Sequence, residues 1–268
     1  MTDLSVHTTR ELDAAAQAIR GDGATLLRGA LPAALVARVC ESVEAVHRLL
    51  DDLGERVATD GLSKVDPVLR AVLQVHAQQT GFSLSLPVHL RLEGKVALLD
   101  MQLAVRASLL YALAERVFGE RPAILVDHCS ARRQVPTAHR SGLAWHQDVE
   151  ALAIRRPDER GLPCWIPLVA IDDATPALEV WPHRVTAVLP HRRDTNNYSV
   201  LTDEPAAETA AERYWTTRGM VPGDVLDFDG RMVHRTESGP GLTRIRHSID
   251  LRMRPLSETA GFESAILT

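Results

Sequence analysis

His146 and Asp148, which stand two residues apart, and the distant His234 are the residues whose types and spacing most clearly suggest chemistry. Two imidazoles and one carboxylate can occupy one face of an octahedral metal ion and leave three adjacent positions open. That arrangement is typical of non-haem Fe(II) oxygenases. Side chains at i and i+2 project to the same side of a β-strand, whereas in a helix they point in different directions. The spacing therefore predicts a metal centre whose first two ligands lie on a strand over residues 143–149.

His-x-Asp is weak evidence by itself, because a structural histidine–aspartate pair at the end of a strand has the same sequence. The residues that follow His234 strengthen the case. Arg244 and Arg246 follow His234 by ten and twelve residues, and strand alternation predicts that they share one face. A guanidinium on that face could hold the far carboxylate of a 2-oxo acid whose other end chelates the metal. Thr236 is placed to add a hydroxyl group, and either arginine fits the role.

Helices in the first third of the chain must support such a site. Apolar residues recur at helical spacing after Thr8 and Thr9, either of which could cap the helix. Apolar residues at helical spacing also predict helices over residues 32–50 and residues 100–118. Residues 24–28 form a short strand candidate between the first two helices.

From residue 122 onward the sequence changes character and indicates many short strands separated by Gly, Pro, Asp and Asn. A helical block followed by such strands predicts a β-sandwich or barrel with helices packed on one side. We expect one domain over residues 1–268, with mostly helical support to residue 120 and a β core over 121–256. The strand candidates are 122–130, 143–149, 163–172, 177–181, 185–189, 215–219, 224–228, 231–236 and 244–253.

The composition is that of a soluble globular protein. Of the 268 residues, 45% are hydrophobic and 24% charged, and the net charge of −5 argues against a nucleic-acid partner. No apolar run is long enough to span a membrane, and the first residues do not resemble a signal peptide. We therefore expect a cytoplasmic protein without a membrane partner. Nothing in the sequence specifies an oligomeric state.

The order of these pieces resembles the phytanoyl-CoA dioxygenase family of Fe(II)- and 2-oxoglutarate-dependent oxygenases. The resemblance covers most of the chain, with residues 55–120 matching least. It is carried by an early Asp-Gly-hydrophobic strand, the His-x-Asp tripeptide, a Trp-x-x-Leu-like segment, a Pro-Gly-Asp turn, and the late histidine and arginine. In this chain these are residues 22–29, Trp145-His146-Gln147-Asp148, Trp165-Ile166-Pro167-Leu168, Pro222-Gly223-Asp224, His234 and Arg246.

The resemblance implies a mainly β fold with helical additions, namely a double-stranded β-helix (jelly roll, cupin-like) flanked by N-terminal helices. It implies that Fe(II) is held by His146, Asp148 and His234, with 2-oxoglutarate and O2 as co-substrates. Arg246 matches the arginine that binds 2-oxoglutarate better than Arg244 does. Thr236 and Trp165 match a hydroxyl and an aromatic position beside that co-substrate. No catalytic group beyond the metal centre is implied.

Two departures from the family pattern affect the prediction of the substrate. The Pro-Gly-Ser-His turn, which helps to shape the substrate mouth in relatives, is reduced to Trp181-Pro182-His183, and the glycine after the late histidine is Arg235. The family's substrate therefore cannot be transferred. An intact Asp148 favours hydroxylation over halogenation, because related halogenases place a small residue there.

We therefore expect a dioxygenase that hydroxylates a small polar molecule, such as an amino-acid derivative or a secondary-metabolite intermediate, and releases succinate and CO2. The same site could instead carry out desaturation or cyclisation. A second alternative is a non-oxidative jelly-roll metalloenzyme, a hydrolase or isomerase, which would need no carboxylate clamp. A third is a catalytically silent binding protein, although no predicted ligand is missing.

Overall fold

The structure, a computed structural model, describes residues 4–8, 10–60, 102, 104–105, 108–125, 128–136, 142–194, 198–203, 214–260 and 266–267. Its helices are α1 (Leu12–Asp22), α2 (Ala33–Asp60) and α3 (Leu109–Phe118). Its strands are β1 (Val6–Thr8), β2 (Ala24–Arg28), β3 (Pro122–Leu125), β4 (Ser130–Gln134), β5 (Leu162–Pro167), β6 (Leu178–Val180), β7 (His191–Arg193), β8 (Ser199–Leu201), β9 (Trp215–Thr216), β10 (Val225–Phe228), β11 (His234–Thr236), β12 (Arg246–Pro255) and β13 (Ile266–Leu267).

A large sheet, a small sheet and a separate two-stranded pair form the β part of the described residues. The large sheet has the order β1-β2-β10-β5-β12-β3-β13, and β4 also pairs with β12. The small sheet has the order β11-β6-β9, and β7 pairs separately with β8. The ten-residue strand β12 is central, because it is antiparallel to β5 on one side and to β4 and β3 on the other.

The helices cover one face of the large sheet, and the small sheet covers the other. Ile249, Leu251 and Met253 of β12 join the helix-side core together with apolar residues of α1, α2 and α3. Trp165 of β5 faces the other way and packs with Leu178 of β6. Strand alternation thus separates a largely apolar helix–sheet layer from the space between the two sheets.

The even-numbered residues of β12 point into that space between the sheets. Arg246, Ser248, Asp250, Arg252 and Arg254 are all buried or nearly so, and all are polar or charged. Buried polar residues require partners, because an unpaired buried charge is costly. The polar face of β12 therefore marks the region in which a functional site is built.

The N-terminal helices differ in detail from the sequence prediction. Thr8 does not cap α1: it lies on β1, where its backbone N–H donates to Glu11 Oε2 at 2.9 Å, and Glu11 occupies the N-cap position. Thr9 lies outside the described residues. The predicted helix over 100–118 is described as α3 only from Leu109. It begins at Ser108, whose hydroxyl accepts from the Leu110 N–H at 3.2 Å. Residues 61–100 and several positions from 101 to 107 lie outside the described ranges.

The mainly β architecture with helices on one side agrees with the prediction, but several strand predictions need correction. Residues 122–130 contain two strands, β3 and the start of β4, instead of one. Residues 185–189 form no strand. The single domain over residues 1–268 stays a prediction. In the described ranges, no helix combines the length and apolar character that a membrane crossing would need.

Candidate metal centre

His146 and His234 are held side by side by one antiparallel bridge. The backbone N–H of each residue donates to the carbonyl oxygen of the other at 3.0 Å. His234 begins β11, but the residues around His146 form no strand, and Asp148 enters a turn in which its carbonyl accepts from the Leu152 N–H at 2.9 Å. The predicted strand over 143–149 is therefore wrong, because a single bridge fixes the position of His146.

The side chains of His146, Asp148 and His234 converge. Each offers one ligand atom, and these atoms all lie within 4.8 Å of one another. His146 Nε2 is 3.9 Å from Asp148 Oδ1, and the two imidazole centroids are 4.1 Å apart. Two nitrogens and a carboxylate oxygen at this spacing are a donor set for a first-row divalent metal.

A hydrogen bond on the far side of each imidazole determines which ring nitrogen is free to bind a metal. His146 Nδ1 lies 2.8 Å from the Ala144 carbonyl oxygen, and His234 Nδ1 lies 3.0 Å from that of Met232. A carbonyl oxygen only accepts, so each Nδ1 donates. A neutral imidazole that donates from Nδ1 presents an unprotonated Nε2. Both rings therefore direct a lone pair into the site.

Burial and charge favour the forms of the three groups that bind a metal. Burial lowers the pKa of His146 well below its usual value, with a smaller effect from His234, and burial also lowers the pKa of His234. Burial alone would raise the pKa of Asp148, but the neighbouring groups, first Arg252 and then the two histidines and Arg132, together outweigh burial, and the net pKa is far below the usual range. Neutral imidazoles and an ionised carboxylate are the species that coordinate metals.

The candidate ligands line a cavity between the two sheets, which we call the inner cavity. The empty space in and around it, including open solvent at its mouth, is about 410 Å³. The same cavity is also lined by the three residues that the resemblance assigned to 2-oxoglutarate, namely Thr236, Trp165 and Arg246. The inner cavity is lined by Arg132, Leu143, His146, Asp148, Pro163, Cys164, Trp165, Leu178, Phe228, His234, Thr236, Arg246 and Asp250.

Arg246 is a fully buried cation at the start of β12. Its Nη1 donates to the Pro176 carbonyl at 3.0 Å, and its guanidinium carbon lies 5.4 Å from the centroid of the Trp165 ring. Burial lowers its pKa to about 10, so it stays charged at neutral pH. Among the described residues, neither Arg246 Nε nor Trp165 Nε1 has a hydrogen-bond partner. Two buried donors beside one cavity fit an anionic ligand with several acceptor oxygens.

Arg244 and Arg246 do not share a strand face, contrary to the prediction. Arg244 precedes β12, is largely exposed and pairs with Asp172. Arg246 occupies the first inward-facing position of β12. The structure therefore brings Arg246, and not Arg244, to the candidate metal centre.

A second, more open cavity adjoins the first and shares His146, Asp148, Leu143 and Arg132 with it. The empty space in and around this outer cavity, including open solvent, is about 620 Å³. At its rim Arg193 forms an ion pair with Glu150. Its remaining lining is mostly polar and consists of Gln147, Ala151, Tyr198, Ser199 and Arg252.

The sequence analysis missed Arg252, the residue that contacts Asp148 directly. Arg252 Nε and Nη2 donate to Asp148 Oδ2 at 3.2 and 3.1 Å. A signal was available, since Arg252 has the same parity as Arg246 on one strand. That Arg252 meets Asp148 depends on how the loop after His146 docks on β12, which spacing alone does not reveal.

The sequence matches the family model described as phytanoyl-CoA dioxygenase over residues 19–244. The matched range contains the three candidate ligands and ends just before Arg246. No functionally curated protein matches the chain in sequence.

Several solved structures resemble the molecule. The apo form of ThoJ, a non-haem monooxygenase, has a TM-score of 0.56 at 16% identity and covers 90% of this chain and 76% of its own. EctD from S. alaskensis, with 2-oxoglutarate and 5-hydroxyectoine, has a TM-score of 0.55 at 20% identity, covering 90% and 75%. SnoN, an α-ketoglutarate-dependent epimerase from nogalamycin biosynthesis, has a TM-score of 0.53 at 16% identity and covers 92% of this chain and 84% of its own. These likenesses show the jelly-roll fold.

Proposed function

Because the chain belongs to the phytanoyl-CoA dioxygenase family of Fe(II)- and 2-oxoglutarate-dependent oxygenases, we propose that it hydroxylates a small polar molecule and releases succinate and CO2. The observation that carries this proposal is the shared inner cavity. It brings two neutral imidazoles and one ionised carboxylate within 4.8 Å of one another and adds a buried arginine. The metal ligands and the carboxylate clamp of such an enzyme are thus side by side.

His146, Asp148 and His234 would hold the Fe(II). Their protonation states fit a divalent cation, and both imidazoles are oriented from behind by backbone carbonyls. Such second contacts fix the ring orientation and raise the basicity of the ligand nitrogen. Bound Fe(II), together with 2-oxoglutarate and O2, supplies the oxidising power that inserts one oxygen atom into a C–H bond, while the second oxygen atom enters succinate.

Arg246, Thr236 and Trp165 would hold 2-oxoglutarate. The unpaired Nε of Arg246 and the unpaired Nε1 of Trp165 can both donate to carboxylate oxygens. Thr236 lines the same cavity, and its hydroxyl can add a further hydrogen bond. A permanently charged guanidinium suits a carboxylate, because it forms parallel charge-assisted hydrogen bonds.

The outer cavity would hold the substrate. It reaches His146 and Asp148 and is lined by charged and hydroxyl-bearing side chains, which favours a small polar molecule such as an amino-acid derivative or a secondary-metabolite intermediate. The EctD structure, which holds 2-oxoglutarate and 5-hydroxyectoine, supports a small-molecule substrate by analogy of fold. Asp148 fills the carboxylate position, which favours hydroxylation over halogenation.

Desaturation or cyclisation at the same site is the second candidate outcome. The structurally similar SnoN is an α-ketoglutarate-dependent epimerase, so this fold also hosts reactions whose product is not a hydroxylated substrate. A non-oxidative hydrolase or isomerase is less well supported, because it gives no role to the buried Arg246.

The test of the proposed function compares Arg246→Lys with Arg244→Lys. Under anaerobic conditions the wild-type protein with Fe(II) and 2-oxoglutarate should develop a weak visible charge-transfer band. Arg246→Lys replaces the planar fork by a single ammonium group, so we expect the apparent Kd for 2-oxoglutarate to rise at least about tenfold. Arg244→Lys, at an exposed position outside β12, should match the wild type.

The apparent Kd for 2-oxoglutarate of each variant is obtained by adding 2-oxoglutarate stepwise and recording the charge-transfer band. Succinate, measured by mass spectrometry after air is admitted with candidate substrates, gives turnover. A metal-loaded wild-type protein that shows neither the band nor succinate contradicts the proposed function. Equal effects of the two substitutions contradict the role of Arg246.

A further inference from the structure

Arg252 donates two hydrogen bonds to one oxygen atom of Asp148. Its Nε and Nη2 both donate to Oδ2, at 3.2 and 3.1 Å, while the other oxygen, Oδ1, faces His146 Nε2 at 3.9 Å. The two carboxylate oxygens of Asp148 thus have different surroundings. One is held by a guanidinium, and the other points toward the candidate ligands.

Arg252 is itself firmly held. It is 4% exposed, its Nη1 donates to the His128 carbonyl, and its Nη2 lies 3.8 Å from Asp250 Oδ2. It stands on the central strand β12, which is paired on both sides. The guanidinium therefore has little freedom to move toward a substrate, and its position fixes that of the Asp148 carboxylate.

We propose that Arg252 is a positioning residue that makes Asp148 a one-oxygen metal ligand. With Oδ2 engaged by Arg252, only Oδ1 is left for the cation. A carboxylate that binds through one oxygen leaves three adjacent coordination positions open, whereas binding through both oxygens would occupy one of them. This inference rests on the proposed function only in that the triad must bind a metal.

Charge and geometry predict opposite effects of Arg252, so the inference can be tested sharply. A positive charge next to a cation site weakens cation binding by Coulomb repulsion. If Arg252 acted only through its charge, neutralising it would tighten metal binding. If Arg252 acts by orienting Asp148, losing its guanidinium group would weaken metal binding even where the positive charge is kept.

The experiment measures Co(II) binding by calorimetry under anaerobic conditions in the full-length protein. The variants are Arg252→Lys, which keeps the charge, and Arg252→Gln, which removes it. We expect both to raise the Kd for Co(II) by about 10- to 100-fold, the usual cost of losing a partner of a metal ligand. The visible spectrum of the Co(II)-loaded variants should also change, because Asp148 is then free to bind through both oxygens.

Arg254→Lys is the matched control. Arg254 is the next inward-facing arginine of β12 and is equally buried, but its Nη1 donates to the Leu152 carbonyl at 2.7 Å and not to Asp148. Arg254→Lys should lower stability like Arg252→Lys and leave the Co(II) Kd within about twofold of the wild type. Affinities are expressed per folded protein, with the folded fraction taken from circular dichroism.

A second measurement uses only the wild-type protein and remains valid if the Arg252 variants do not fold. The infrared difference spectrum on Co(II) binding, with ¹³C-labelled aspartate, should show the wide separation of carboxylate bands typical of one-oxygen binding. The narrow separation of a chelating carboxylate overturns the inference. So does wild-type affinity in Arg252→Lys or tighter binding in Arg252→Gln. A wild-type protein that binds no Co(II) contradicts the proposed function as well.

Discussion

Two buried aspartates of this molecule show how the neighbouring groups decide the charge of a buried side chain. Asp148 and Asp227 are both buried, yet their pKa values shift in opposite directions. Burial raises the pKa of Asp227 to about 7, which the nearby Cys164 thiol offsets only in part. For Asp148 the charge of Arg252, which also donates two hydrogen bonds to it, acts together with His234, His146 and Arg132 to reverse the effect of burial on the pKa. Buried carboxylates are therefore ionised only where the fold supplies a cation.

The raised pKa of Asp227 predicts a pH dependence of stability. In the unfolded chain an aspartate titrates near pH 4, whereas in the folded protein Asp227 titrates at about 7. The stabilisation of the folded protein by protonated Asp227 is therefore complete below about pH 4 and is lost as the pH rises to 7. Relative to Asp227→Asn, the wild type should lose about 2–3 kcal/mol of unfolding free energy between pH 5 and pH 7.

Urea unfolding of both proteins at several pH values measures this difference. Asp173→Asn, at a fully exposed side chain, is the control and should follow the wild type at every pH. Parallel pH profiles for wild type and Asp227→Asn would contradict the prediction.

At the scale of elements, the loop before His234 is held in place by the end of α1. Gly23 ends this helix in the left-handed conformation with φ at 94°, and a Cβ added there would lie 2.3 Å from Met232 Sδ. Met232 is fully buried, and its carbonyl accepts from His234 Nδ1 at 3.0 Å. A glycine at the end of a helix thus bears on the orientation of a candidate metal ligand.

Gly23→Ala should lower the unfolding free energy by about 2–4 kcal/mol, because it adds overpacking against Met232 to the strain of a positive φ. Gly119→Ala is the matched control, since Gly119 ends α3 in the same conformation with φ at 70° and no atom lies within 4 Å of the added Cβ. It should cost about 1 kcal/mol. Denaturant unfolding measures both, and equal costs would show that the contact with Met232 is unimportant.

The elements also show why part of the site was predictable from sequence. Residue types were sufficient to propose His146, Asp148 and His234, because ligand chemistry is a local property. Strand parity was not sufficient: residues 143–149 form no strand, and the family resemblance, not parity, favoured Arg246 over Arg244. The strand predicted over residues 185–189 was wrong because of a tertiary contact. There the Gln147 side chain accepts from the Leu189 N–H and donates to the Ala187 carbonyl, both at 2.9 Å, and so replaces a partner strand.

At the scale of the whole molecule, the candidate metal centre joins the two sheets. His234 belongs to the small sheet, whereas Asp148 is tied to the large sheet through Arg252 of β12. The strands of the small sheet are only two or three residues long, so backbone pairing alone stabilises it weakly. The helices lie on the opposite face of the large sheet, remote from the centre. A bound metal would therefore stabilise mainly the association of the sheets.

Hydrogen exchange with and without Co(II) tests this division. Any opening that releases the metal is opposed by the binding free energy, about 2.7 kcal/mol at 100 times the Kd, so exchange through it should slow by up to about 100-fold. We expect this protection in β6, in β11 and around His146. Amides of α1, which open locally in the outer layer without releasing the metal, should change little. The His234→Ala protein should show no Co(II)-dependent protection, and protection concentrated in α1 would mean that the metal binds elsewhere.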